Sequence, residues 1–432
     1  MRTRRWFLRT SGLAVGVLGT SQVWLKPASA QERASRKVLV AILQRGAADG
    51  LNVVAPFFEK RYYQLRPSIA VQMPSQQQGF GGIDLDGKFA FHQVLQPLKP
   101  LWDARQLAIV HAAGSPDTSR SHFDAQAFME SGTAGKTTED GWLNRALPRV
   151  TQNTSPLRGV AVGATLPLAL RGERSTVAVD DLAKFQIGSG ASPILEKLYA
   201  RSSDAQLKGQ AGGMFDAVRR IESIRQQPYS PANGAIYQGT FGTRLMQLAR
   251  LIKSDVGVEV AFVDFDGWDH HSNENGQLGG ILGEFGRGLS SFARDLGDRM
   301  ADAVVVTMSE FGRTAAENGT GGTDHGHGGV MMVLGGSVKG GSVYGKWPGL
   351  EPEQLFEGRD LAVTTDYRDV LAELVRVHLG QNPDQVFPGY KAGAPLGLLR
   401  TASKTDSPYM NRSSTVTLWP AASNWGTSTL PT

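Results

Sequence analysis

Residues 322–329, GTDHGHGG, place Asp324, His325 and His327 within four positions and surround them with glycine. A second stretch, DFDGWDHH, carries Asp264, Asp266, Asp269, His270 and His271 in eight residues. Imidazoles and carboxylates are the donors that suit a divalent zinc, manganese or iron ion. The chain has no cysteine, so any metal it binds must be held by nitrogen and oxygen. Glycine lets the backbone turn between ligands, and alternate histidines reach one ion only from a loop or strand. The competing readings are a polar hairpin loop for the first stretch and a solvated turn for the second.

Other residues of the same chemical kind lie further along. Asp49 stands near Asn52, and His111 is followed by Thr118, Ser119, Arg120, Ser121 and His122; Ser309 and Glu310 precede Arg313. Each has a plain structural alternative. Asp49 and Ser121 could be helix N-caps, a role both residue types favour, and Glu310 with Arg313 could be an ion pair. Six of the eight histidines fall in these polar segments, leaving His92 and His378 outside.

The elements that must position them read as alternating strands and helices. Val38–Leu43 is a short aliphatic run broken by Gly46 and Gly50, the pattern of a buried parallel strand entering a loop. Leu107–Gly114 repeats it, followed by a helical SHFDAQAFMESG. A third strand lies within 258–271, then a helix from Leu278 to about Met300, a fourth strand in ADAVVVTMSEFG, a fifth at Gly329–Gly336, and a closing helix in TTDYRDVLAELVRVHLG. This order predicts a three-layer α/β/α fold with a mainly parallel central sheet. Ligands collect beyond the carboxyl ends of such strands, and the polar clusters follow or adjoin the strands.

Residues 1–30 stand apart. Arg4 and Arg5 precede Phe7 and Leu8, an uncharged stretch runs from Leu13 to Leu25, and Ala28-Ser29-Ala30 reads as a cleavage site. This pattern resembles a twin-arginine export signal, and its apolar run is shorter than the ~20 residues that span a bilayer. The expectation is a periplasmic or secreted protein, delivered by the twin-arginine translocase and without a stable membrane span after cleavage. Five of the 45 basic residues and no acid lie in this segment, so residues 31–432 carry 40 of each sign. Nothing in that balance favours nucleic acid as a partner. The expected domain is 31–400, with a helical insertion or cap at 184–237 and a loose tail at 401–432, rich in Ser, Thr, Asn and Pro.

The motifs LQRGAADGLN, SRSHFDAQ, DGWDHH, SEFGRT, DHGHGG, GGSVKGGSVYG and TTDYRDVLAELV occur in this order between Lys37 and Tyr390. In combination they resemble the domain-of-unknown-function 1501 family, itself similar to the alkaline phosphatase and sulfatase superfamily. The resemblance implies an alkaline phosphatase-like fold and hydrolysis of phosphate or, with no cysteine to form formylglycine, less readily sulfate esters. It implies one or two divalent ions, with Asp49, Asp269, His271, Glu310, Asp324, His325 and His327 as candidate ligands. Ser121 would be the nucleophile, with Ser119 and Thr118 behind it, and Arg313 would offset charge on the equatorial oxygens. Arg120 is a further anion-binding candidate. His111, His122 or His325 would protonate the leaving group. The superfamily's Asp-His at the fourth strand is Ser309-Glu310 here, a departure that bears on a second ion. An anionic ester or glycan is the expected partner; a non-catalytic binding or assembly protein on the same fold is the alternative.

Overall fold

The computed structural model describes residues 37–75, 81–149, 155–184, 201 and 205–400. The export segment 1–30, the tail 401–432 and part of the expected insertion at 184–237 lie outside them. The strands of the main sheet are β1 (Val38–Arg45), β2 (Leu107–Gly114), β3 (Gly159–Val162), β4 (Thr176–Val179), β5 (Val260–Asp266), β6 (Ala303–Met308), β7 (Gly329–Gly335), β8 (Val343–Tyr344) and β9 (Thr365–Asp366). Among the described residues their order is β8-β2-β7-β6-β1-β5-β3-β4, with β9 also pairing β2. The main helices are α1 (His122–Ser131), α2 (Trp142–Ala146), α3 (Ala205–Gln226), α4 (Gly239–Lys253), α5 (Glu274–Leu296) and α6 (Tyr367–Glu373), the last continued by a π-helical turn at Leu374–His378. A small three-stranded sheet joins Val54–Ala55, Ala90–Phe91 and Ile83–Asp84.

Strand β1 shows why three layers form. Its side chains alternate between faces with period two: Val38, Val40 and Ile42 enter one core, Leu39, Ala41 and Leu43 the other. The first core takes Phe241 and Leu245 of α4, Leu282, Phe285 and Leu289 of α5, and Ile221 of α3. The second takes Met129 of α1, Trp142 of α2 and Val370 and Leu371 of α6. A strand covered on both faces needs a continuous apolar run, as β1, β2 and β6 have.

The sheet is parallel except for β7, which runs antiparallel to both β2 and β6. That single reversal brings the glycine-rich stretch into play. Strands β1, β2, β5 and β6 all end at one sheet edge, and β7 begins there, with Gly329 opposite Ala113 near the end of β2. Residues 309–328 therefore leave and re-enter the sheet at the same edge. Strands β3 and β4, each four residues long, have no counterpart among the runs picked out from sequence.

Beside the site, an aromatic stack supports the loop after β5. Phe285 lies 5.6 Å from Trp268 and 5.8 Å from Phe241, and Phe265 stands between them at 5.5 and 4.3 Å. Trp268 and Phe285 are fully buried, so Asp269 follows an immobilised residue. Replacing Phe285 with Ala is expected to cost about 3–5 kcal/mol by lost burial and cavity formation, measured by chemical denaturation.

Candidate metal centre

Three imidazoles and one carboxylate converge beyond the sheet edge. His325 Nε2 lies 3.0 Å from His122 Nε2 and 2.9 Å from His271 Nε2. Asp269 Oδ1 is 3.0 Å from His271 Nε2 and 3.2 Å from His325 Nε2, and its Oδ2 is 3.5 Å from His122 Nε2. His122, Asp269 and His325 form the group whose donor atoms could share one ion among the described residues, and His271 touches two of its members.

The far side of each ring fixes its chemistry. His122 Nδ1 meets Glu310 Oε1 at 2.7 Å, His271 Nδ1 meets Asp324 Oδ1 at 3.1 Å, and His325 Nδ1 meets the Arg120 carbonyl at 2.9 Å. An ionised carboxylate or a carbonyl only accepts, so each Nδ1 must donate. Every neutral ring then turns an Nε2 lone pair toward the others. Lone pairs at 3 Å repel, and protonating one nitrogen answers only one contact; a cation answers all of them. Metal-bound histidines characteristically donate their other nitrogen to such acceptors. The donor set thus fits a divalent ion of the nitrogen–oxygen class.

The electrostatics agree. Burial alone would raise the Asp269 carboxyl, but the Arg313 guanidinium bonded to its Oδ1 brings its pKa below the usual value. Burial opposes ionisation of Glu310 too, and hydrogen bonds from His122, Gln126 and the Gly46 amide outweigh it. The hydrogen bond to His271 lowers Asp324. His122 is raised by its bond to Glu310, while burial lowers His325.

Local structure explains the placement. Arg45, at the end of β1, bonds Asp264 of β5 at 2.6 Å and Gln126 and Glu130 of α1 at 2.7 and 2.8 Å, fixing the helix that begins with His122. The His122 ring stacks on Phe311, 5.0 Å between centroids. The stretch 309–328 is both a hairpin and a ligand loop. It closes through Gly312 N to His327 O and Gly326 N to Gly312 O, each 2.9 Å, with Arg313 and His325 opposed in a bridge. A side chain on Gly312 would overlap the Gly328 carbonyl, and one on Gly326 would overlap that of Arg313. Those glycines exist for close backbone approach.

Several sequence expectations need correction. Asp49 does not join the cluster: it is buried, caps the turn Gly50–Val53 through Leu51 N, and pairs with the equally buried Arg66 at 2.5 Å. Glu310 and Asp324 hold the rings of His122 and His271 through Nδ1 rather than sharing the donor point. His327 is outside it as well, stacked on Phe356 at 4.3 Å. Arg313 cannot face a substrate, because its buried guanidinium donates to the carbonyls of Ala47, Thr323, Gly46 and Trp268 and to Asp269. His122, read as a proton donor, stands among the ligand donors. His111 is a core residue, its Nε2 2.9 Å from the Val54 carbonyl and its pKa pushed down to about 4 by burial. His270 is buried with an unpartnered Nδ1, and burial lowers its pKa. Ser121 sits at the N-cap of α1, but its side chain makes no capping bond; Ser119 Oγ instead accepts from Ser121 N at 3.3 Å.

Arg66 and Glu274 had no sequence signal. Arg66 also donates to the carbonyls of Ala315 and Thr314. Glu274 accepts from Asn52 Nδ2 at 2.7 Å and Thr323 Oγ1 at 3.1 Å, tying α5 to the ligand loop. Burial, then the neighbouring Asp49 charge, push its carboxyl up to about 9.

The site thus defines an α/β protein with a histidine-rich candidate metal centre at the carboxyl edge of its sheet. The chain belongs to the family described as "Protein of unknown function (DUF1501)", whose model matches residues 102–382. No curated protein matches it. Among solved structures it is similar to the lipoteichoic acid synthase LtaP from Listeria monocytogenes, at 10% identity and TM-score 0.32. That match covers 70% of this chain and 66% of that one, just under two thirds of its length. The periplasmic domain of EcEptC from Escherichia coli, in complex with Zn, matches at 8% identity and TM-score 0.31, covering 71% and 74%. Ps i-CgsB, in complex with k-i-k-neocarrahexaose, matches at 11% and TM-score 0.36, covering 82% and 74%. Among the described residues no helix is long and apolar enough to cross a membrane.

Two outcomes follow from this geometry. Glu310→Gln weakens the Nδ1 acceptor of His122 and should raise the metal dissociation constant about 10–100-fold, read by chelator competition. Glu274 holds its proton more tightly folded than unfolded. Its stabilising share is complete below about 4.5 and is lost as pH rises through about 9. Glu274→Gln should therefore flatten the fall in unfolding free energy between pH 6 and 9.5, measured by urea titration.

Proposed function

We propose that this chain is an exported, metal-dependent hydrolase of phosphate esters, with His122, Asp269, His271 and His325 holding one divalent ion. The observation that carries the reading is the convergence of three Nε2 atoms and a carboxylate, each ring anchored through Nδ1. The bound ion would supply Lewis acidity and lower the pKa of a nearby hydroxyl.

The chain's own residues do the rest. Arg313 orients Asp269, and Glu310 orients His122. Ser121, directly before His122 and unused as a cap, is the nucleophile: its Oγ bonds to phosphorus, the ester oxygen departs, and water then cleaves the serine ester. Its side chain makes no capping bond at the start of α1, so the hydroxyl is not committed to the helix backbone. His122 and His325 are held as ligands and His111 is buried, so the leaving oxygen takes its proton from solvent. Residues 1–30 would deliver the protein through the twin-arginine translocase to the periplasm or beyond, where a phosphate ester, less favourably a sulfate ester or an anionic glycan, is the substrate. One observation favours a second reading, a binding or assembly protein: Arg313 is buried and leaves the centre without a free guanidinium.

Elemental analysis of the purified protein, with a screen of phosphate monoesters, phosphodiesters and diphosphates and of sulfate monoesters, separates them. One equivalent of zinc, manganese or iron, lost in His325→Ala, and turnover lost in Ser121→Ala at full metal content support the hydrolase. Metal without turnover on any ester moves the assignment to the binding protein, and no metal overturns the centre.

A further inference from the structure

We infer that Arg120 is a binding residue for a second anionic group on the substrate, and that Glu357 stands in for that group in the free protein. The inference rests on the hydrolase reading, because it places an anion subsite one residue from Ser121 and two from His122.

Arg120 is a half-buried arginine two residues before His122. Its backbone carbonyl holds the His325 ring, so its position is coupled to the ligands, while its side chain turns to the loop 356–360. There Nη2 is shared between Asp360 Oδ2 at 2.7 Å and Glu357 Oε2 at 2.6 Å. The two carboxylates are not equivalent. Asp360 is fully buried and also receives Arg359, whose Nε and Nη2 lie 2.8 and 3.0 Å from its oxygens. Arg359 Nη2 then reaches the His325 carbonyl at 2.8 Å. Asp360 is thus a structural counter-charge for two arginines. Glu357 has a 54% exposed side chain and accepts only from Arg120 among the described contacts.

The charges give the exchange its direction. Without Glu357 the group holds two guanidiniums and one carboxylate and lacks a negative charge, which a phosphate or carboxylate can supply with bidentate geometry. Solvent screens an exposed ion pair and leaves it weak, so a multiply charged ligand displaces Glu357 at little cost. The backbone supports this: Glu357 adopts φ +54°, a left-handed conformation that a residue with a Cβ rarely takes and that collects at ligand clamps. The loop is closed by Phe356 N to Asp360 O and Asp360 N to Phe356 O, at 2.8 and 3.0 Å, so its base stays fixed when the Glu357 side chain leaves. The preferred substrate is then an ester bearing a further anionic group, such as a phosphodiester or diphosphate fragment, rather than a simple monoester.

The test is isothermal titration of the metal-loaded full chain with inorganic pyrophosphate and with inorganic phosphate. Wild type is expected to prefer pyrophosphate. Glu357→Gln should tighten pyrophosphate about 2–5-fold by removing an exposed competitor, and Arg120→Gln should weaken it about 10-fold or more. Both residues are partly exposed, and Asp360 keeps Arg359 in either variant, so folding is preserved. Unchanged pyrophosphate binding in both variants, or no binding of either anion, overturns the inference while leaving metal content and ester turnover to judge the hydrolase. Shifts as stated without any ester turnover keep the anion subsite and remove the hydrolase.

Discussion

The buried guanidinium of Arg313 is the interaction on which the site depends. The three nitrogens of one rigid plane make five contacts, to the carbonyls of Gly46 and Ala47 after β1, of Trp268 after β5 and of Thr323 in the loop before β7, and to the Asp269 carboxylate. Each carbonyl belongs to a loop with no ladder of its own to satisfy it. A loop buried without such partners would leave polar groups unpaired, at roughly 1–3 kcal/mol each. One side chain therefore makes three strand ends compatible and fixes the carboxylate that the histidines surround. A lysine, with three donors on a flexible stem, could not serve these directions at once.

The reversal of β7 supplies the other half of the geometry. In an all-parallel sheet the segment before a strand would lie at the opposite edge from the segment after its neighbours. Because β7 runs antiparallel to β2 and β6, His325 arrives at the edge where β1, β2, β5 and β6 deliver Arg45, His122, Asp269 and Glu310. The glycines of 312–328 are the sequence trace of that return, since backbones packed this closely leave no room for Cβ atoms at Gly312 and Gly326.

Much of this was legible in the chain before folding. Strand β2 matches its expected run, β7 does so to within one residue, and the metal-type residues Asp269, His271 and His325 were marked by their density in polar loops. What escaped notice has physical causes. Strands β3 and β4 are too short for a period to register. Exchanging the roles of His122 and Glu310 required knowing which atom of each points at the centre, and composition carries no direction. Asp49 was expected at the ion because the family resemblance puts a metal-binding aspartate at the end of the first strand; its partner Arg66 lies seventeen residues on, just past a short helix whose sequence does not mark a buried guanidinium. The Asp49 carboxylate already has a cation in Arg66.

Charge balance at the centre links the metal reading to the anion subsite. Asp269, Glu310 and Asp324 all have lowered pKa values and are ionised at neutral pH, and Arg313 returns one positive charge. The protein alone thus presents a net charge of about two negatives around three imidazole nitrogens, a surplus of the size that one divalent cation would neutralise. A neutralised centre has little long-range attraction for an anionic ester. On the hydrolase reading proposed above, recognition of such a substrate would come from a guanidinium outside the candidate ligand set. Arg313 is enclosed by carbonyls and Arg66 by Asp49, which leaves the rim, where Arg120 is held by an exposed carboxylate that solvent already weakens.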